Sequence, residues 1–161
     1  MFLDADDWVE ADMLESLYRL AEADHADVAC CPASGRKINW KKKDNCTITE
    51  RTIIHGKNKT ESGLALLTVW GPVCKLYRKD LIENIQFEEY KVAEDLLFNT
   101  NVVCSKKFER ASLIQYPFYH YMIYAGSAMK QEFQDKYLEA MRVEELCYEK
   151  LTKNLTGICR Y

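Results

Sequence analysis

The chain has 161 residues, a net charge of −3 and 48% apolar residues, enough to bury one core, so one domain is expected. Mild acidity without a long basic run argues against a nucleic-acid partner. The seven cysteines (Cys30, Cys31, Cys46, Cys74, Cys104, Cys147 and Cys159) are odd in number and form no C-x-x-C pair or zinc spacing, which argues against a disulfide scaffold and for reduced thiols in a cytoplasmic setting.

The chain opens on a short apolar run, Met1 to Leu3, that stops in Asp4, Asp6 and Asp7 before Trp8. An apolar run ending in acid is the pattern of a buried strand that delivers side chains to the rim of a sheet, where ligands of α/β folds collect. Asp4 and Asp6 are two apart, so an extended segment points both the same way, while Asp7 can cap a following helix. Such a pair suits a hard divalent cation, which takes oxygen ligands and shares them with substrate phosphates. A solvated acidic turn before a helix explains the same residues. An EF-hand does not, because Trp8 and Val9 stand where an oxygen ligand and the turn glycine belong.

Glu10 to Ala23 carries Met13, Leu14, Leu17, Leu20 and Ala21 at helical spacing, a stripe that covers one face of a sheet. Ala26 to Cys31 reads as a buried strand, so the opening is strand, helix, strand, the sign of a parallel α/β layer. From Pro32 to Lys59 the chain turns polar, with Lys41-Lys42-Lys43 and a β-prone Cys46 to Thr49, expected as a hairpin or an irregular excursion. The lysines can attract phosphate or simply form a wet surface. Glu61 to Thr68 reads as a short helix ended by Gly71-Pro72, and Val73 to Tyr77 as an extended segment. Arg78 to Glu83 reads as one or two helical turns.

Glu94-Asp95 leads directly into Leu96-Leu97-Phe98. Carboxylates in the first turn of a helix are favoured by its free N–H groups and macrodipole, so this pair has a structural explanation as well as a chemical one. Glu109 to Tyr116 is expected as a strand, followed by Tyr119-His120-Tyr121 and a loop with Gly126 and Ser127. The span 111–129 has no charged residue, yet Gln115, Pro117, His120 and its aromatics fit a half-buried strand and loop better than a membrane span. A charged amphipathic helix from Gln131 to about Thr152 closes the chain. Three N-x-S/T matches, at Asn45, Asn58 and Asn154, carry no argument in a cytoplasmic setting.

Phe2-Leu3-Asp4-Ala5-Asp6-Asp7-Trp8, Lys75-Leu76-Tyr77-Arg78, Glu94-Asp95-Leu96-Leu97-Phe98 and Tyr119-His120-Tyr121 with Ser127 stand in the order and spacing of one family. Together they resemble the family 2 glycosyltransferases of bacterial polysaccharide synthesis. The resemblance implies an α/β fold of the GT-A (Rossmann-like) type acting on a nucleotide-diphosphate sugar, dependent on Mn2+ or Mg2+ and usually inverting. It makes Asp4 and Asp6 the donor-binding and metal-holding D-x-D, with Asp6 the direct ligand and Asp7 the supporting acid. It makes Asp95 the general base, with Glu94 orienting the site. Sugar transfer builds positive character at the anomeric carbon and negative charge on the departing diphosphate. A cation on the diphosphate and a carboxylate at the incoming hydroxyl answer the two demands.

Lys75 and His120 are further donor-binding candidates, each also explained by ion pairing or packing, and Trp70 can stack on an acceptor sugar or fill the core. The resemblance also implies a saccharide or lipid-linked acceptor and, through the latter, a peripheral place at the inner membrane face. In the family the D-x-D strand lies near the middle of the catalytic domain. The chain is therefore expected to be a partial GT-A domain over 1–130, truncated at its amino terminus, with a terminal helix over 131–161. Met122 stands where many relatives carry arginine. A sheet cut at its middle is expected to self-associate through its exposed edge. The alternative to an enzyme is a non-catalytic remnant or interaction module of the same fold.

Overall fold

The structure, a computed structural model, describes residues 1–37, 53–69, 71–123 and 136–155. In chain order the elements are β1 (Trp8–Val9), α1 (Met13–Asp24), β2 (Val28–Cys30), β3 (Ala33–Lys37), β4 (Ile53–His55) and α2 (Lys59–Thr68). They continue as β5 (Lys75–Tyr77), a single turn α3 (Lys79–Ile82), α4 (Glu94–Cys104), β6 (Ala111–Ile114), β7 (Tyr119–Ile123) and α5 (Lys136–Asn154). Two sheets result, ordered β1-β7-β3 and β4-β6-β2-β5.

The stripe read between Glu10 and Ala23 forms α1, which buries Met13, Leu17 and Leu20. It ends at His25, a left-handed residue (φ 49°) whose N–H closes the last turn, the usual way of satisfying terminal carbonyls. Asn58 caps α2 by accepting from the Glu61 N–H at 2.9 Å. The uncharged span near residue 111 resolves into β6 and β7, and no helix among the described residues is long and apolar enough to cross a membrane.

Three expectations need correction. The opening apolar run joins neither sheet; pairing begins after the acids, with Trp8 opposite His120 and Val9 opposite Tyr119. Phe2 is half-buried among rings instead, edge-on to Tyr77 (6.0 Å), Phe87 (5.5 Å) and Phe98 (5.5 Å), so side-chain packing holds this segment where a ladder was expected. Second, β1, α1 and β2 do not make a parallel unit, because β1 and β2 lie in different sheets. The parallel pairs are β2 with β6 and β3 with β7. Third, the polar stretch after Pro32 contributes β3 to a five-residue parallel ladder with β7, which a local hairpin would not give. Lys41-Lys42-Lys43 and Cys46 to Thr49 lie outside the described residues, as do Gly126 and Ser127. The terminal helix packs on the core. Val143 and Cys147 of α5 close on Leu97 of α4, and Leu155 joins Leu66, Phe98 and Val103.

Candidate active site

The acids from Asp4 to Asp7 form a turn held at both ends. Its backbone closes through the Asp7 N–H to the Asp4 carbonyl at 3.2 Å. The Tyr119 hydroxyl donates to Asp7 Oδ2 at 2.6 Å and accepts the Asp4 N–H at 3.3 Å. Asp7 Oδ1 accepts the Met122 N–H at 2.9 Å. Asp7 thus fastens the turn to β7. Asp4 and Asp6 are exposed. The Asp4 carboxyl is raised above its ordinary value, first by partial burial and then by the charges of Asp7 and Asp6; neighbouring anions disfavour one another's ionised form.

Beneath the turn, Trp8 and His120 occupy directly opposed positions and stack at 3.8 Å. His120 Nε2 lies 2.9 Å from Glu10 Oε1, and the ring is 2% exposed. The histidine expected at the donor is therefore a brace between β1 and β7, because its place in the ladder turns it onto Trp8. Lys75 too is held inside the protein. It is buried, and Nζ donates to the carbonyls of Val69 (2.8 Å) and Gly71, fixing the bend before β5. Burial lowers its pKa to about 8, against the opposing pull of the Cys30, Cys74 and Asp95 charges.

Asp95 lies in the first turn of α4, half-buried, with Oδ1 accepting the Leu96 N–H at 2.7 Å. Its other oxygen overlooks Gly71; a methyl group built on that glycine would stand 3.5 Å from Asp95 Oδ2. Gly71 has φ +51°, a conformation that costs glycine little. Glu94 precedes Asp95 in the same turn and is half-buried. Ala93, just before the pair, is held in the left-handed region at φ 61°, which costs an L-residue about 1–2 kcal/mol. Strain of this kind collects where side chains must be aimed. The sequence offers no signal for it, since alanine there reads as ordinary helix.

The two acidic sites are joined by one run of contacts. Phe2, two residues before Asp4, packs on Phe98, one helical turn after Asp95. Tyr77 touches both rings and donates to Asn99 Oδ1 at 2.8 Å. Trp70 lies outside the described residues. Tyr119, whose hydroxyl fastens the turn, and Glu10, which meets His120, have no sequence signal of their own; the Tyr-x-Tyr spacing is visible, but not the reach of one hydroxyl to Asp7.

The same architecture recurs in solved structures. S. aureus TarS (residues 1–349) with UDP-GlcNAc superposes with a TM-score of 0.64 at 22% identity, covering 96% of this chain and 43% of that one. The complex of TarS with UDP gives 0.60 at 21% identity, covering 96% and 41%. The mixed α/β fold is that of a partial GT-A glycosyltransferase. Residues 1–86, more than half of the chain, match Glycosyl transferase family 2, and the chain belongs to that family. Glycosyltransferase GlyA of Streptococcus pneumoniae serotype 4 is 27% identical over 154 residues, 87% of this chain and 21% of that protein. The chain thus spans about a fifth of this relative and roughly two fifths of the TarS chains.

Proposed function

We propose that the chain takes part in transferring a sugar, with inversion, from a nucleotide diphosphate to a saccharide or lipid-linked acceptor in cell-surface polysaccharide synthesis. The observation that carries this reading is the pairing of an exposed Asp4–Asp6 turn with Asp95 across the Phe2–Phe98 contact. Family membership and the likeness to a transferase solved with UDP-GlcNAc support it.

In this scheme Asp95 takes the proton of the acceptor hydroxyl. The freed oxygen bonds to the anomeric carbon from the face opposite the diphosphate, whose bond to that carbon breaks with the electron pair leaving on phosphate. Glu94 stands beside the base and Gly71 keeps the approach to it open. Asp4 and Asp6 fit Mn2+ or Mg2+, being exposed, hard oxygen donors whose mutual repulsion a cation relieves. Among the described residues no group of three His, Cys, Asp or Glu side chains gathers around one point. The fit is thus to a cation that completes its shell with phosphate and water. When bound, that cation would neutralise charge developing on the diphosphate. A lipid-linked acceptor would draw the protein to the inner membrane face.

Titration of the chain with UDP and Mn2+ tests the donor half. Binding should need the metal and vanish in Asp6→Ala; unchanged metal-dependent binding by that variant would remove the D-x-D assignment. In a transfer assay Asp95→Asn should lower kcat by about 10²- to 10⁴-fold, the usual worth of a general base, with donor binding intact. A non-catalytic module would instead show no heat with any nucleotide sugar.

A further inference from the structure

We propose that Tyr119 is a positioning residue that presets the Asp4–Asp6 pair for its cation. This inference rests on the donor-site reading above.

One hydroxyl closes the turn from outside. It donates to the Asp7 carboxylate at 2.6 Å and accepts the Asp4 N–H at 3.3 Å, so it ties the first and last residues of the D-A-D-D segment to one point. Its ring is buried among Met13, Leu17 and Phe118, and its backbone is set by pairing with Val9 on one side and Ala33 on the other. The hydroxyl is therefore as fixed as the sheet. An oxygen placed by a packed ring and two ladders holds a turn better than the turn's own closing bond at 3.2 Å, which solvent can replace.

The bond also separates the three acids by role. Asp7 has both carboxylate oxygens taken, by Tyr119 and by the Met122 N–H, while Asp4 and Asp6 stay exposed on the turn. Two carboxylates are then presented to the cation at a fixed spacing, and the third holds them there. Partners that orient metal-binding carboxylates in this way are worth about 10- to 100-fold in metal affinity. Phenylalanine at position 119 would keep the ring and lose both bonds. The turn would still form, but it would hold the two carboxylates less firmly.

The test is Mn2+ binding followed by the electron paramagnetic resonance of free Mn2+, with and without UDP, in wild type, Tyr119→Phe, Asp7→Ala and Asp6→Ala. Tyr119→Phe should weaken Mn2+ binding about tenfold or more while far-ultraviolet circular dichroism and metal-free UDP affinity stay unchanged. A merely structural role would shift those last two as well. Asp7→Ala removes one of the two bonds, together with the Met122 bond and a nearby negative charge, so it should weaken Mn2+ binding at least as much as Tyr119→Phe and stands in for it should the buried change impair folding. Wild-type affinity in either folded variant overturns the positioning role, leaving the donor-site reading intact if Asp6→Ala still loses the metal. Undiminished binding by Asp6→Ala, or none by wild type, overturns both.

Discussion

A lysine can be buried completely only where the protein supplies the hydrogen bonds that water gave up. Lys75 receives them from the carbonyls of Val69 and Gly71, and desolvation still lowers its pKa from 10.5 to about 8. The sign of the consequence follows from proton counting. Below the folded value both states are protonated and the cost of burying the charge is fully present. Between the folded and the unfolded values the unfolded chain holds the extra proton, so the stability owed to this residue rises with pH. Lys75→Met should destabilise, because two carbonyls lose their donor. Its deficit relative to wild type should widen by about 1 kcal/mol between pH 7 and pH 9, read from urea unfolding. A deficit that stays constant would mean that the lysine is not desolvated as described. Asp4, Asp6 and Asp95 stand out in the sequence through the motifs they share with the family, since their spacing alone fits an acidic turn and a helix start as well. Lys75 and His120 each have two explanations in the sequence, and only burial shows what holds them: the one meets two carbonyls, the other Glu10 and Trp8.

At the scale of elements, α4 begins through Ala93 in a left-handed conformation, followed at once by Glu94 and Asp95. Glycine would remove the steric cost there, returning part of the gain through greater freedom of the unfolded chain. Ala93→Gly should therefore stabilise by about 0.5 kcal/mol and raise Tm by about 1–2 °C; a drop in Tm would show that the methyl group packs in a way that outweighs its strain. Helices α1, α2 and α4 could be located from the sequence because apolar spacing, a Gly-Pro stop and an acidic first turn are local signals. The strands were located less well. β1 has two residues and β3 has five, and what decides their partners is β7, more than eighty residues away. The opening run was assigned to a ladder on its composition, whereas the three rings that take up Phe2 come from segments far along the chain.

At the scale of the molecule, the second sheet ends in β5, which among the described residues pairs with β2 alone. Beside that edge Phe2 packs on Tyr77 and Phe87, and the neighbouring Leu3 and Phe87 itself are exposed. An unpaired edge with apolar flanks gains by meeting another surface, since the free N–H and C=O groups find partners and the apolar atoms leave water. No bulge or proline lies within Lys75 to Tyr77 to blunt the edge. For the purified 161-residue chain the partner at hand is a second copy. Sedimentation velocity at micromolar concentration should show species larger than the monomer, and Leu3→Lys combined with Phe87→Lys should shift the population toward monomer by setting two like charges at the contact. A wild-type chain that sediments as a compact monomer at every concentration, with a sharp thermal transition, would show that this edge is already protected.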